Sequence, residues 1–371
     1  MTRAYQMCSR CVMDTSAAEI SFDHQGRCIF CVDYMDEPRQ KTLSSPSSRL
    51  DLTTLVERVK SNGKGKPYDC IIGVSGGVDS SWALVKAVEL GLRPLAVHMD
   101  NGWNSELAQS NIANLVTGLG VDLLTHVIEW DEYRGLMQAF FDADVIDVEL
   151  LYDNAMLAVN YKAARQYRLR YILSGSNHAT EGMTMPAEWN WYKLDRRNIK
   201  AISKHHGGPT LTSFPAIGTL QRIRYLLVHR IEWISFLDMF EYRKETALAH
   251  LESHFGYKRY PYKHYESVFT RFYQGYLLPE KFQVDKRRTH LSTLIASGQM
   301  SRSEAITLLT TPPYPQASDL EVDLEFFLRK MRWTRRELND YLERPRREHS
   351  QYKSEIGIHS VLRRVVSAFR T

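Results

Sequence analysis

Asp69-Cys70-Ile71-Ile72-Gly73-Val74-Ser75-Gly76-Gly77-Val78-Asp79-Ser80-Ser81 is a short apolar run that breaks into a turn rich in glycine and serine. Helical periodicity follows from Trp82 to Leu90. A continuous apolar run of this length reads as a strand buried on both faces, and such strands belong to parallel sheets covered by helices. The pattern recurs. Pro94 to Met99, Leu123 to Ile128 and Tyr171 to Leu173 read as further strands, with helical stretches between them. Between the third and fourth, Asp147 to Leu169 reads as one long helix whose stripe Val148, Leu151, Ala155, Ala158 and Val159 faces a core. Alternating strands and helices imply an α/β fold with a doubly wound parallel sheet.

The turn after the first strand has the chemistry of an anion site. Gly76 and Gly77 let backbone approach an anion, Ser75, Ser80 and Ser81 supply hydroxyls, and the following helix offers its positive dipole end. A phosphoryl-transfer loop of the Walker type would carry lysine before the last Ser or Thr. This loop has none, which disfavours simple kinase chemistry. Residues Ser75 to Ser80 resemble the pyrophosphate loop S-G-G-x-D-S of the N-type ATP pyrophosphatases, which cleave ATP between the α- and β-phosphates. The resemblance implies that Ser75, Gly76, Gly77, Val78, Asp79, Ser80 and Ser81 hold ATP and that Asp79 holds Mg²⁺. The second strand ends in His98-Met99-Asp100-Asn101-Gly102, where that superfamily touches adenine. The fourth ends in Ser174-Gly175-Ser176-Asn177-His178-Ala179-Thr180-Glu181, similar to a turn of the NAD synthetases. His98, Asp100, Asn101, Gly175, Ser176 and Asn177 are thereby nucleotide candidates, and Glu181 is a second metal candidate. His98 and His178 themselves read as satisfied loop histidines rather than catalysts.

Near the N-terminus, Cys8 and Cys11 form one C-x-x-C and Cys28 and Cys31 another. Paired thiolates on two tight turns complete a tetrahedron, so the spacing predicts a structural zinc site. The ribbon has few basic residues, Arg3, Arg10 and Arg27 among them, which favours a structural or docking role over nucleic-acid binding. The polar stretch from Lys41 to Ser48 reads as a linker. Organisation is therefore expected as a ribbon and linker over residues 1–45, an ATP-binding domain over 46–205 and a mostly helical part over 206–371. In that last part Leu220 to Phe240 reads as helical, with Leu220, Ile223, Leu227, Ile231, Ile234 and Leu237 at helical spacing among Arg222, Arg224 and Arg230. Core packing is the favoured reading of that stripe, and a membrane-surface helix is the alternative.

The length of 371 residues allows two or three domains without staples. Forty-eight basic residues against 43 acidic ones leave a net charge of +5, which suits an anionic substrate as well as nucleic acid. The sequence shows neither a run fit to span a membrane nor a signal-peptide core, so a cytoplasmic location is expected. In that compartment thiols stay reduced, consistent with zinc rather than disulfides.

The whole chain resembles the N-acetyl sugar amidotransferases of bacterial surface-polysaccharide biosynthesis. The match runs through Met7 to Thr15, the phosphate loop, Asn190 to Asp195 with Asn198 to Ile202, Lys263 to Gln274, and Asp285 to Leu291. It implies an ATP-dependent, AMP-forming ligase that turns the acetamido group of a nucleotide-linked sugar into an acetamidino group, in lipopolysaccharide O-antigen or related glycan synthesis. It implies ATP, Mg²⁺ and Zn²⁺, with Asp79, Glu181, Lys193 and Lys200 as catalytic candidates. Lys193, Lys200, Lys263, Arg271, Arg287 and Arg288 become candidates for holding phosphates or a uronate, and Trp189, Trp191 and Tyr192 for stacking. An alternative is a tRNA sulfur-insertion enzyme, which the cysteine count opposes. Once zinc takes four of five, only Cys70 remains, inside a strand. A third is a zinc scaffold that binds a nucleotide without turning it over. The same cysteine arithmetic leaves no glutaminase nucleophile, so a separate glutaminase subunit is the expected ammonia source.

Overall fold

The computed structural model describes residues 4–36, 47–260, 265–314, 316–358 and 360. Most of the linker expected at Lys41–Ser48, and Lys263, lie outside the described residues. Five parallel strands, β1 (Cys70–Gly73), β2 (Pro94–Asp100), β3 (Leu123–Val127), β4 (Tyr171–Ser174) and β5 (Glu232–Ser235), form one sheet in the order β3-β2-β1-β4-β5. The helices before β5 are α1 (Ile29–Asp36), α2 (Ser47–Gly63), α3 (Val78–Glu89), α4 (Glu106–Leu119), α5 (Trp130–Asp142), α6 (Leu150–Gln166), α7 (His178–Glu181), α8 (Arg196–His205) and α9 (Thr219–Leu227). After it come α10 (Lys244–Phe255), α11 (Val268–Phe272), a π-helical stretch Tyr273–Phe282, α12 (Arg287–Ala296), α13 (Arg302–Thr310), α14 (Ala317–Met331) and α15 (Arg335–Glu343).

Register explains why β1 has no polar side. Ile71 is level with Leu95 and with Ile172, and this face joins the core that includes the α6 residues Leu151, Ala155, Ala158 and Val159. Cys70 and Ile72 turn the other way, into a core shared with Leu84, Val85, Leu248 and Leu251 of α3 and α10. The order of strands reverses at β1 and β4, which opens a crevice at their carboxyl ends.

Three sequence expectations change. Helix α3 begins at Val78, so Asp79, Ser80 and Ser81 form its first turn. Asp147 and Val148 precede α6 rather than belonging to it. The helix expected over Leu220–Phe240 ends at Leu227, Arg230 takes a left-handed backbone at φ 53°, and Glu232–Ser235 becomes the edge strand β5 paired with β4. A four-residue strand inside a run of helically spaced apolar residues has too little sequence of its own to show alternation. The sheet and its covering helix α10 therefore continue past the expected boundary at residue 205. The stripe also splits: Ile231 and Leu237 are buried, whereas Leu220 and Leu227 are exposed. Farther on, α13, α14 and α15 lie in the part expected to be mostly helical, and Thr334 closes a capping box with Glu337 at the start of α15. Among the described residues no helix is long and apolar enough to cross a membrane.

Candidate active site

A cavity of about 780 Å³ opens at the carboxyl ends of the strands. One wall is the loop from Ser75 to Ser80. Gly76 has φ +85°, and a Cβ there would lie 2.9 Å from the Ala108 carbonyl oxygen, so only glycine makes this turn without strain. Ser75 Oγ accepts from the Gly77 amide at 3.3 Å and lies 3.3 Å from Ser80 Oγ, which donates to the Gly77 carbonyl at 3.2 Å. The hydroxyls of Tyr257 and Tyr260, the latter itself on the cavity wall, both donate to the Gly76 carbonyl, at 2.8 and 3.1 Å.

The β4 turn is pressed against this loop. A Cβ on Gly175 would sit 2.7 Å from the Asp79 carbonyl carbon and from the Ser80 nitrogen. Behind it, Asn177 caps α7 by accepting from the Thr180 amide at 2.8 Å, and this sets Glu181 on the cavity wall. Thr180 Oγ1 donates to Asp79 Oδ2 at 3.4 Å, while Tyr242 donates to Asp79 Oδ1. Burial, and next the charge of Asp79, push the Tyr242 phenol far above its ordinary range, so it stays a donor. Asp79 and Glu181 thus share one cavity as hard oxygen donors of the kind Mg²⁺ takes.

Of the residues singled out in sequence, Ser75, Gly77, Val78, Asp79, Ser80, Gly175, Ser176, Glu181 and Lys193 line the cavity. Gly76, Ser81, His98, Asp100, Asn101 and Asn177 are not among its lining residues and shape its frame instead. His98 is a strand residue rather than a loop one, and it is satisfied: Nδ1 lies 2.9 Å from the Val74 carbonyl and Nε2 lies 3.0 Å from Asn104 Nδ2. Asp100 and Asn101 accept from the amides of Gly102 and Trp103 and so fold the turn after β2. Between them Met99 reaches the cavity.

Several candidates move elsewhere. Lys200 is exposed on α8, away from the cavity. Trp189 is buried in the core, Trp191 stacks on His349 at 5.0 Å, and Tyr192 bonds Thr219, so none of the three offers a free face to a ligand in the cavity. Arg288 binds the Val12 carbonyl at 2.8 Å and Asp14 at 2.8 Å, clamping the N-terminal ribbon. Arg271 and Arg287 do line the cavity, but each already holds a carboxylate, Asp323 and Asp285 respectively.

Deeper in the cavity lies a charged network that the sequence reading missed. Lys193 bridges Asp147 at 2.6 Å and Asp153 at 2.8 Å; Lys286 pairs with Glu149 at 2.8 Å, and Gln274 donates to the same carboxylate at 3.0 Å. Burial would raise the Asp147 carboxyl, yet the charges of Lys193, Lys286 and His349 hold it below its usual range. Burial raises Asp153 in spite of Lys193. Burial depresses His349, which stands behind Asp147, to about 4. The signal in the sequence was the i, i+4 spacing of Glu149 and Asp153 at the start of α6. For Tyr242, Tyr257 and Tyr260 the local sequence offers none.

The four ribbon cysteines are buried, with sulfurs all within 4.8 Å of one another; Cys8 and Cys31 are 3.9 Å apart, Cys11 and Cys28 3.7 Å. A tetrahedral ion with bonds of about 2.3 Å to sulfur requires sulfur pairs about 3.8 Å apart, so the quartet fits zinc. Amides of Arg10, Cys11 and Cys28 point at Cys8 Sγ, at 3.2 to 3.4 Å. Cys70 is fully buried and its thiol is pushed up by burial, which leaves it inert.

Residues 266–365 match the family model of the LPS biosynthesis protein WbpG-like, C-terminal domain. The chain thus carries a WbpG-like C-terminal segment. From it come Arg271, Gln274, Lys286, Arg287 and His290 on the cavity wall. Among curated proteins none matches the chain. Of solved structures, an NMN synthetase from Francisella tularensis aligns at 16% identity and a TM-score of 0.30, over 60% of this chain and 100% of its own. An NH3-dependent NAD synthetase from Campylobacter jejuni aligns at 14% and 0.26, over 56% of this chain and 93% of its own.

Proposed function

We propose that this chain is an ATP-dependent, AMP-forming amidotransferase that converts the acetamido group of a nucleotide-linked sugar, a diacetamido uronic acid or a relative of it, into an acetamidino group for lipopolysaccharide O-antigen or a related glycan. One observation carries the reading: the Ser75–Ser80 loop and Glu181 open into the same cavity as Arg271, Gln274, Lys286 and Arg287 of the WbpG-like segment. The cavity of about 780 Å³ lies in the upper part of the range for ligand pockets, as two substrates held together require.

An amide carbonyl is a poor electrophile. Its oxygen attacks the α-phosphorus of ATP, the bond to the β-phosphate breaks, and pyrophosphate leaves. The resulting imidate carbon accepts ammonia, and AMP departs with the electrons of the carbon–oxygen bond. Asp79 and Glu181 would hold Mg²⁺, which neutralises the departing pyrophosphate. The loop amides and serine hydroxyls bind phosphate oxygens, and Lys193 holds its place beside the reacting groups through Asp147 and Asp153. Cys8, Cys11, Cys28 and Cys31 would hold zinc in a structural role. Ammonia comes from a separate glutaminase subunit, because the ribbon takes four thiols and Cys70 is sealed in β1.

The test is AMP and pyrophosphate formation with ammonium and a panel of acetamido sugar nucleotides, with transfer RNA in the parallel arm. Turnover with one of the sugars supports the proposal. Turnover with transfer RNA alone, or ATP binding without cleavage in either arm, sinks it.

A further inference from the structure

Helix α9 is held to the protein by little. Of its residues only Thr219 and Tyr225 are buried; Tyr225 stacks on Tyr161 of α6 at 5.1 Å between ring centroids. The remaining surface is apolar and basic at once. Four of the eleven large hydrophobic residues that stand exposed in the described chain fall here: Leu220, Leu226, Leu227 and Val228, at 65, 47, 69 and 66% exposure. Ile356, also exposed, lies close by, since Glu355 accepts from the Thr219 amide at 2.6 Å.

Charge decides what such a face meets. Arg222, Arg224 and Arg230 are exposed, and among the described residues none of the three guanidinium groups pairs with a carboxylate. From Thr219 to Arg230 there is no acidic residue. Elsewhere on this protein arginines such as Arg271, Arg287, Arg288 and Arg344 hold carboxylates. A short helix that turns leucines outward and interleaves them with unpaired arginines matches a surface that is apolar below and anionic above, as a bilayer of acidic phospholipid is. A protein partner would have to bring three carboxylates as well as an apolar surface, whereas an acidic bilayer offers both together.

We propose that the α9 face, Leu220 to Arg230, docks this protein on an anionic membrane surface, with Leu220, Leu226, Leu227 and Val228 entering the interface and Arg222, Arg224 and Arg230 on lipid phosphates. The inference stands apart from the amidotransferase reading, because it uses no residue of the cavity. It would nevertheless bring the cavity near the bilayer, since β5, whose Trp233 lines the cavity, follows this segment directly.

The experiment is co-sedimentation of the full chain with vesicles of phosphatidylcholine, with and without about one-third phosphatidylglycerol. We expect binding to the acidic vesicles, none to phosphatidylcholine alone, and release in about 0.5 M salt. Leu220→Asp with Leu227→Asp should abolish binding while the melting temperature stays put, because both side chains are exposed. Arg222→Gln with Arg224→Gln should weaken it by roughly 25-fold, at about fivefold per arginine. No binding to acidic vesicles at low salt overturns the proposal, as does binding that these variants leave intact. A dimer in light scattering that Leu220→Asp and Leu227→Asp dissociate, or a glutaminase subunit whose binding they abolish while vesicle binding persists, overturns it too.

Discussion

Gly175→Ala adds one methyl group where the β4 turn meets the phosphate loop, and the structure says how much room it lacks. The new carbon would lie 2.7 Å from the Asp79 carbonyl carbon, 2.7 Å from the Ser80 nitrogen and 2.8 Å from the Asp79 oxygen. Carbon atoms in contact prefer about 3.5 to 4.0 Å, so loop and turn must part by about 1 Å. All three neighbours are backbone, which has no rotamer to yield. Overpacking of this sort costs about 1 to 3 kcal/mol, and for a chain of 371 residues that is a fall of roughly 1 to 4 °C in melting temperature. Activity should suffer more than stability: a misplacement of about 1 Å near reacting groups can cost on the order of a hundredfold, and here the displaced atoms carry Asp79. Scanning calorimetry and AMP formation measure the two effects. Gly357→Ala is the control, since among the described residues nothing lies within 4 Å of its Cβ position. A Gly175→Ala protein that melts within about 1 °C of wild type and forms AMP within about twofold of it would refute the close packing of loop and turn argued here.

Asp79→Asn and Glu181→Gln should each abolish AMP formation with the circular dichroism spectrum unchanged, and near-normal turnover in the Asp79 variant would mean that the loop does not hold the metal. Purified protein should contain about one zinc per chain by metal analysis, and Cys28→Ser should lower stability or solubility before it affects chemistry, because ligation and folding are linked. At acid pH, burial would raise Glu132, but the hydroxyls and amides of Ser213 and Thr212 outweigh it and hold the carboxyl at about 2, against its ordinary 4.5. Its folded value is the depressed one, so its contribution to stability is present above 4.5 and lost as pH falls toward 2; Glu132→Gln should flatten the melting curve against pH in that window. His349, depressed by burial to about 4, adds a loss of stability between its ordinary 6.5 and 4, because the unfolded chain takes a proton there that the folded one refuses, and His349→Gln should remove that part.

How much could be read from sequence depended on whether the signal was local. The β1 strand, the loop after it and each of the two cysteine pairs sit within a few residues, and each folds as its local chemistry dictates. Edge strand β5 was hidden, because Glu232-Trp233-Ile234-Ser235 takes its identity from backbone pairing to Tyr171–Ser174, about sixty residues earlier in the chain. The α9 leucines were misassigned to the core for the converse reason. Helical spacing says which residues share a face, but it does not say whether another element covers that face.

The basic residues show the same limit in a form that bears on function. Lys193, Lys200, Arg271, Arg287 and Arg288 look alike as sequence, yet they end as a half-buried bridge between two aspartates, an exposed lysine, two cavity guanidinium groups already holding carboxylates, and a clamp on the ribbon. A cation withdrawn from water needs a counter-charge, and Lys193, Arg271, Lys286 and Arg287 on this wall each arrive with a carboxylate of their own. Those carboxylates come from three stretches, Asp147 to Asp153, Asp285 and Asp323, and of the five only Asp285 lies close in sequence to the cation it holds. The consequence is a cavity wall close to electrical balance. Recognition of an anionic substrate there must proceed by exchange of partners, with phosphate or carboxylate oxygens displacing an internal acid from Lys193, Lys286 or Arg271. Lys286→Met should therefore do harm on two counts, because it removes a donor and strands Glu149, which is buried and would then keep only Gln274. Adding Glu149→Gln to Lys286→Met should restore most of the melting temperature but not AMP formation, and recovery of both together would show that the pair is structural only.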